Sequence, residues 1–356
     1  MARYWVGGGS SSNWDATTPT NWGTASNTQD DASVPSATDD VIFNGVGTGA
    51  SNSTLSANIE IKSFTGVGYA NTLTHNASVT LTINGNGGTV MDIGATTLYA
   101  KGSLTTSIVK FTSTSGTSDV NTRFSAFPTV IMDGVGGTLR FANHGYFTHF
   151  QLVNGTFSTN NFNPVIGTLE SSNANVRSII LGTSTITMDG VGDIWDTSTT
   201  TNLTFTPNTS VIQVTNNTVT LKTFKGGGLT FSTVNFGGDN VVLTGDNTFN
   251  VFGLSNAECT IGLKITSGST QTFTSMVGSG GGGDVAILLS TTAGVPHTLV
   301  CAQGASIDYT SIKDSTATGV SVFYAGANST NVSGNTGWVF AAPSAGRRNS
   351  MMMGVG

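Results

Sequence analysis

Leu203-Thr-Phe205, Val211-Ile-Gln-Val214, Val219-Thr-Leu221, Leu229-Thr-Phe231, Val234-Asn-Phe236 and Val241-Val-Leu243 follow one another within a single stretch of chain. Apolar residues alternate with Thr, Gln or Asn in most of these runs, and the runs start about 5–10 residues apart, which is the period and spacing of short strands. Thr recurs between the apolar positions because its β-branched side chain suits a pleated surface while its hydroxyl faces water. Each run therefore reads as a strand with one face in a core and one face wet. On this register Leu203, Phe205, Val219, Leu221, Leu229 and Phe231 point inward. No segment of a dozen residues carries a 3.6-residue apolar period with helix formers, so the chain reads as all-β.

Turn signals punctuate the rest of the chain. Asn44-Gly45, Asn84-Gly85, Asn86-Gly87, Asp133-Gly134, Asn154-Gly155 and Asp189-Gly190 pair residues that accept positive φ. A weak repeat accompanies them: Ile131-Met-Asp-Gly-Val-Gly136 returns as Thr187-Met-Asp-Gly-Val-Gly192, with Gly-Val-Gly echoes at Gly45–Gly47 and Gly66–Gly68. The longer spacings correspond to two or three coils of about 20–28 residues, so the pattern predicts a right-handed parallel β-helix, a solenoid of stacked coils. Irregular hairpins assembled into β-sandwich modules are the competing architecture.

The two ends differ from the middle. Trp5, Trp14 and Trp22, three of the five tryptophans, fall in the first 45 residues, and Gly337-Trp-Val-Phe340 closes the last strands. An open solenoid end exposes core and strand edges, so aromatic ends predict caps. The expected division is an N-terminal cap or attachment module (1–45), a solenoid body (46–284), a small C-terminal β module (285–340) and an extended anchoring tail (341–356). The run Gly280–Gly283 reads as a flexible junction. Tyr4, Trp5, Trp14 and Trp22, with Arg347, Arg348, Met351, Met352 and Met353 of the tail, are candidate assembly contacts, since aromatics and adaptable thioethers suit docking.

Composition excludes several classes of function. The chain is 37% hydrophobic with a mean hydropathy near zero, so it has the apolar material to fold. No apolar run approaches the length of a membrane span. Thirteen Lys and Arg spread over 356 residues, at a net charge of −6, leave no basic face for nucleic acid. Cys259 and Cys301 stand alone and specify neither a disulfide framework nor a zinc site. The start, Met1-Ala-Arg-Tyr-Trp-Val-Gly-Gly-Gly-Ser, holds no apolar run of the roughly 7–15 residues that a secretory signal needs, so export by that route is not expected.

Few residues suggest chemistry. Asp189, Asp193 and Asp196 lie around Trp195, and carboxylates beside an aromatic are what a glycan-cleaving face requires. Asp189 and Asp193 also flank glycines as turn residues do, and that reading is preferred. His144 and His149 bracket Tyr146. Five residues apart in a strand-turn context, the two histidines should face opposite ways, which favours a surface aromatic patch for stacking or subunit contact over a metal site. No metal, no cofactor and no catalytic residue is expected.

Arg3-Tyr-Trp-Val-Gly-Gly, Asn13-Trp14, Asn21-Trp22, Pro35-Ser-Ala-Thr-Asp-Asp-Val-Ile-Phe43, Ile307-Asp-Tyr-Thr-Ser-Ile-Lys-Asp-Ser-Thr-Ala317 and Asn335-Thr-Gly-Trp-Val-Phe340 together resemble a group of β-solenoid virion proteins of tailed bacteriophages and prophages. The resemblance covers both ends well and the middle in style. It implies a non-enzymatic structural protein on the particle exterior, as tail fibre, spike or capsid decoration, in contact with other virion proteins. It also implies a homo-oligomer, preferably a trimer, with host-cell glycan as a possible further partner. Synthesis in the host cytoplasm and release by lysis agree with the absence of a secretory signal. A polysaccharide depolymerase acting through the three aspartates and a bacterial surface adhesin are the alternatives.

Overall fold

The computed structural model describes residues 1–17, 19–45, 51–93, 98–101, 106–122, 126–255, 259–278 and 280–343. The tail residues Arg347, Arg348, Met351, Met352 and Met353 lie outside the described residues. The chain forms two compact units, one of Met1–Gly190 with Thr199–Ser210, the other of Val191–Ser198 with the chain from Val211 onward. Among the described residues the regular elements are all strands, and they form a right-handed parallel β-solenoid of about 12 turns in all. The β-sandwich alternative is excluded, because sandwiches are built from antiparallel ladders and almost every pairing here is parallel.

In the first unit each core position recurs one coil later directly above itself. Val41 neighbours Phe64, Phe64 neighbours Met91, Met91 neighbours Val120 and Val120 neighbours Phe141, all buried. A second column runs Leu81, Val109, Val130, Phe150, Leu169. Strands this short would not persist alone; stacking gives each one two neighbours and puts its inward residues into one continuous core.

The second unit repeats the arrangement. Trp195 stacks on Phe224 with centroids 5.6 Å apart, and Leu243 and Ile265 continue that column. Phe231, Phe249 and Phe273 form another. A third runs Val234, Phe252, Met276, Ala305, Phe323, Trp338. Strands on either side of Gly280–Gly283 therefore belong to the same ladders, so those glycines sit in a corner between coils of one stack.

The expected strand Val219–Leu221 is not formed. Those residues belong to an exposed loop, with Val219 60% and Leu221 50% exposed, and the strand is Lys222–Lys225, with Lys222 and Phe224 inward. In a strand of period two, a shift of one residue exchanges its faces. Of the other positions expected in the core, Phe231 is fully buried, whereas Leu203, Phe205 and Leu229 are half-buried.

Asn and Thr have a definite task at the corners. Asn58 Oδ1 accepts from the Thr80 amide, Asn163 Oδ1 from Thr185 and Asp246 Oδ1 from Thr270, each at 2.8 Å and each one coil away. Such bonds tie successive corners where the backbone ladder is interrupted. In the repeated Gly-Val-Gly segments, where ladder pairing is interrupted, the second glycine takes positive φ (87° at Gly68, 86° at Gly136, 75° at Gly192) and the valine between is exposed.

Candidate functional site

Trp5, Trp14 and Trp22 are at most 1% exposed. This corrects their assignment as assembly contacts. Trp5 stacks on Phe43 at 5.3 Å, Trp14 meets Trp22 edge-on at 5.4 Å, and Phe43 reaches Phe64 at 5.5 Å. Trp22 Nε1 donates to the Trp14 carbonyl oxygen at 2.7 Å. The strand Trp22–Gly23 pairs antiparallel with Ala2–Trp5, whose other edge pairs parallel with Asp40–Ile42. The N-terminal edge is thereby covered at Tyr4 and Trp5, and the aromatic rings fill the first coil instead of projecting from it. Tyr4 alone of that set is half-buried and reaches the surface.

The outer face of the first unit carries a series of cross-coil polar contacts. Arg140 grips Asp119 with two bonds of 2.6 and 2.9 Å. Lys110 pairs with Asp133 at 2.7 Å, and Asn154 Nδ2 donates to the other Asp133 oxygen at 2.7 Å. Burial tends to raise the Asp133 pKa, but these bonds and the Lys110 charge hold it below its ordinary value. His149 Nδ1 shares a hydrogen bond with Thr168 Oγ1, and its Nε2 lies 3.6 Å from Glu170. Burial lowers the His149 pKa against the pull of Glu170, which keeps the ring neutral at pH 7.

His144 lies in the corner before the strand Tyr146–Ser158, accepts from the Asn163 amide at 2.8 Å and meets Phe162 edge-on. Neither His144 nor His149 enters the core, so the expectation of opposite faces fails: His144 lies outside the strand, and within it Phe147 and Phe150 are both buried with Thr148 and His149 half-buried between them, which breaks the simple alternation. A shallow cleft of about 430 Å³ opens beside His144, lined also by Ala126, Gly145, Tyr146, Asn163 and Val165.

The three aspartates play different parts. Asp189 accepts a hydrogen bond from the Tyr146 hydroxyl, and burial raises its pKa while that bond opposes the rise. Asp193 and Asp196 both bind the Lys225 ammonium, at 2.6 and 3.2 Å. Burial opposes ionisation of Asp196, but Ser198 and Lys225 outweigh it and lower the pKa. Lys225 sits in the same column as Asp196, one coil on. Among the described residues no three metal-ligating side chains converge. Cys259 and Cys301 are both free thiols, half-buried and buried respectively.

Two buried cations were not anticipated from the sequence. Arg177 is 1% exposed and donates to the carbonyl oxygens of Ser171, Asn175, Thr199 and Thr201. Lys222 is fully buried and donates to the carbonyl oxygens of Thr218, Thr220 and Asp239. Burial lowers both pKa values. Each starts a strand and gathers the loop before it, so the exposed residues Val176 and Leu221 are presented on fixed backbone. A signal was present: Arg177 shares parity with Ile179, and Lys222 with Phe224, so alternation alone turns both cations inward.

No family model, curated protein or solved structure matches this chain.

Proposed function

We propose that the protein is a structural component of the exterior of a tailed-phage particle, as a fibre, spike or capsid decoration. It assembles as a homo-oligomer, a trimer on the resemblance of its ends, against other virion proteins. One observation carries this reading. The motifs responsible for the resemblance are the ones that terminate the coils: Trp5, Trp14, Trp22 and Phe43 fill the first coil, and Trp338 lies edge-on against Phe323 in the last. A parallel solenoid satisfies its backbone from coil to coil and suits a rigid spacer. Antibody labelling of purified particles, read by electron microscopy, tests the proposal. Label at a regular position on the particle is the expected result; protein found only in cell envelopes would make it an adhesin.

A second reading rests on Asp189, a half-buried carboxyl of raised pKa beside the half-exposed Tyr146. As a general acid it would make the outer face of the first unit a polysaccharide-cleaving surface. Glycoside hydrolysis requires a second carboxylate within reach, and the Lys225 ion pairs of Asp193 and Asp196 weigh against those two in that part.

A further inference from the structure

We propose that the C-terminal end of the second unit is a self-docking surface, on which a second copy of this chain seats the same end. The last coil consists of Thr330–Ser333, the bridge residue Thr336 and Trp338–Val339. Each pairs with the coil before it, and among the described residues none pairs on its other edge. All four residues of Thr330–Ser333 are exposed. Val332 is the extra residue of a bulge, since Ile312 faces Asn331 and Lys313 faces Ser333, and it projects into solvent. Val339 lies on the same coil, and Val320 and Val322, the former 89% exposed, lie on the corner just before it.

Charge defines what can seat there. Residues 315–343 contain no Asp, Glu, Lys or Arg. The complementary surface must offer unpaired strand edges, apolar side chains and no charge. The N-terminal edge does not qualify, because Trp22–Gly23 covers Tyr4 and Trp5 on one side, Asp40–Ile42 covers Ala2–Tyr4 on the other, and residues 1–45 carry Arg3 and five aspartates. The end that qualifies is the C-terminal one itself. A surface that complements itself closes under a two-fold axis, with the uncharged edge strands of the two copies meeting antiparallel. This contact is independent of the phage assignment, and it doubles whatever lateral assembly the protein forms.

The test is light scattering after size exclusion, on the full chain and on the Val332→Lys/Val339→Lys double variant, with Val176→Lys as an exposed-valine control. Circular dichroism melting verifies that each variant is folded. The expected result is an even-numbered assembly whose mass halves in the double variant and is unchanged in the control. An unchanged mass in the double variant overturns the proposal, as does a single-chain mass for the full chain at every concentration. Removing residues 344–356 identifies the rival occupant: self-association that appears only after their removal would show that the chain's own tail covers this end.

Discussion

The Lys222 ammonium donates to the main-chain oxygen of Asp239 at 2.8 Å, with neither residue exposed to solvent. The charge is met by carbonyl dipoles, with the Asp239 carboxylate turned instead to the amides of Thr260, Ile261 and Gly262. One side chain thus joins the loop before its own strand to the next coil, as Arg177 does in the first unit.

Replacing Lys222 with Met keeps the volume but strands several buried carbonyl oxygens. The variant should lose about 1–3 kcal/mol of stability, net of the relief from burying a charge. Chemical denaturation measures this. A variant as stable as the parent would show that the carbonyls find water when the ammonium is gone.

Register is tested by a pair of truncations. Phe224→Ala removes a ring packed between Trp195 and Phe231 and should cost about 3–5 kcal/mol, whereas Leu221→Ala, three residues earlier in the exposed loop, should cost under about 1. Equal losses in thermal unfolding would refute the inward placement of Lys222 and Phe224.

His297 supplies a pH dependence. It is wholly buried with neither ring nitrogen hydrogen-bonded to the described protein, and burial pushes its pKa down to about 4 against the opposing charge of Asp314. Between about pH 4 and the unfolded value near 6.5 the unfolded chain binds the extra proton, so stability rises with pH across that window and is lost on acidification. The contribution is on the order of 2–3 kcal/mol. His297→Leu should flatten the melting profile between those limits relative to the parent; parallel profiles would remove His297 from the account.

The carboxylates separate scaffold from enzyme. Asp193→Asn breaks a half-exposed ion pair with Lys225 and should change stability by less than about 1 kcal/mol. Asp189→Asn should leave folding intact and abolish any glycan cleavage the protein possesses, if the depolymerase reading is right. Reducing-end assays on capsular or lipopolysaccharide substrates decide it: no activity in the parent favours the scaffold, and activity that survives the substitution removes Asp189 from the chemistry.

Much of the architecture was legible in local pattern. Alternation in Val234-Asn-Phe236 and Val241-Val-Leu243 marked real strands, and the repeated Met-Asp-Gly-Val-Gly marked a break in pairing within the strand Ala126–Phe141 and a real corner after Met188, with Met132 and Met188 buried. Period-two patterning and positive-φ turn residues are properties of a few neighbouring residues, so the chain by itself determined that it is all-β and coiled. Depth was decided by the tertiary structure. Trp5, Trp14 and Trp22 read equally well as surface anchors or as cap, and only stacking on Phe43 and Phe64 in later coils puts them inside. The same holds for Arg177 and Lys222, whose burial depends on carbonyl oxygens contributed partly by the next coil, and for Asp193 and Asp196, which meet Lys225 across a coil. A sequence encodes which face a residue takes, but its partners lie about twenty residues away in the neighbouring coil, and that distance is set by loop lengths that no local pattern fixes.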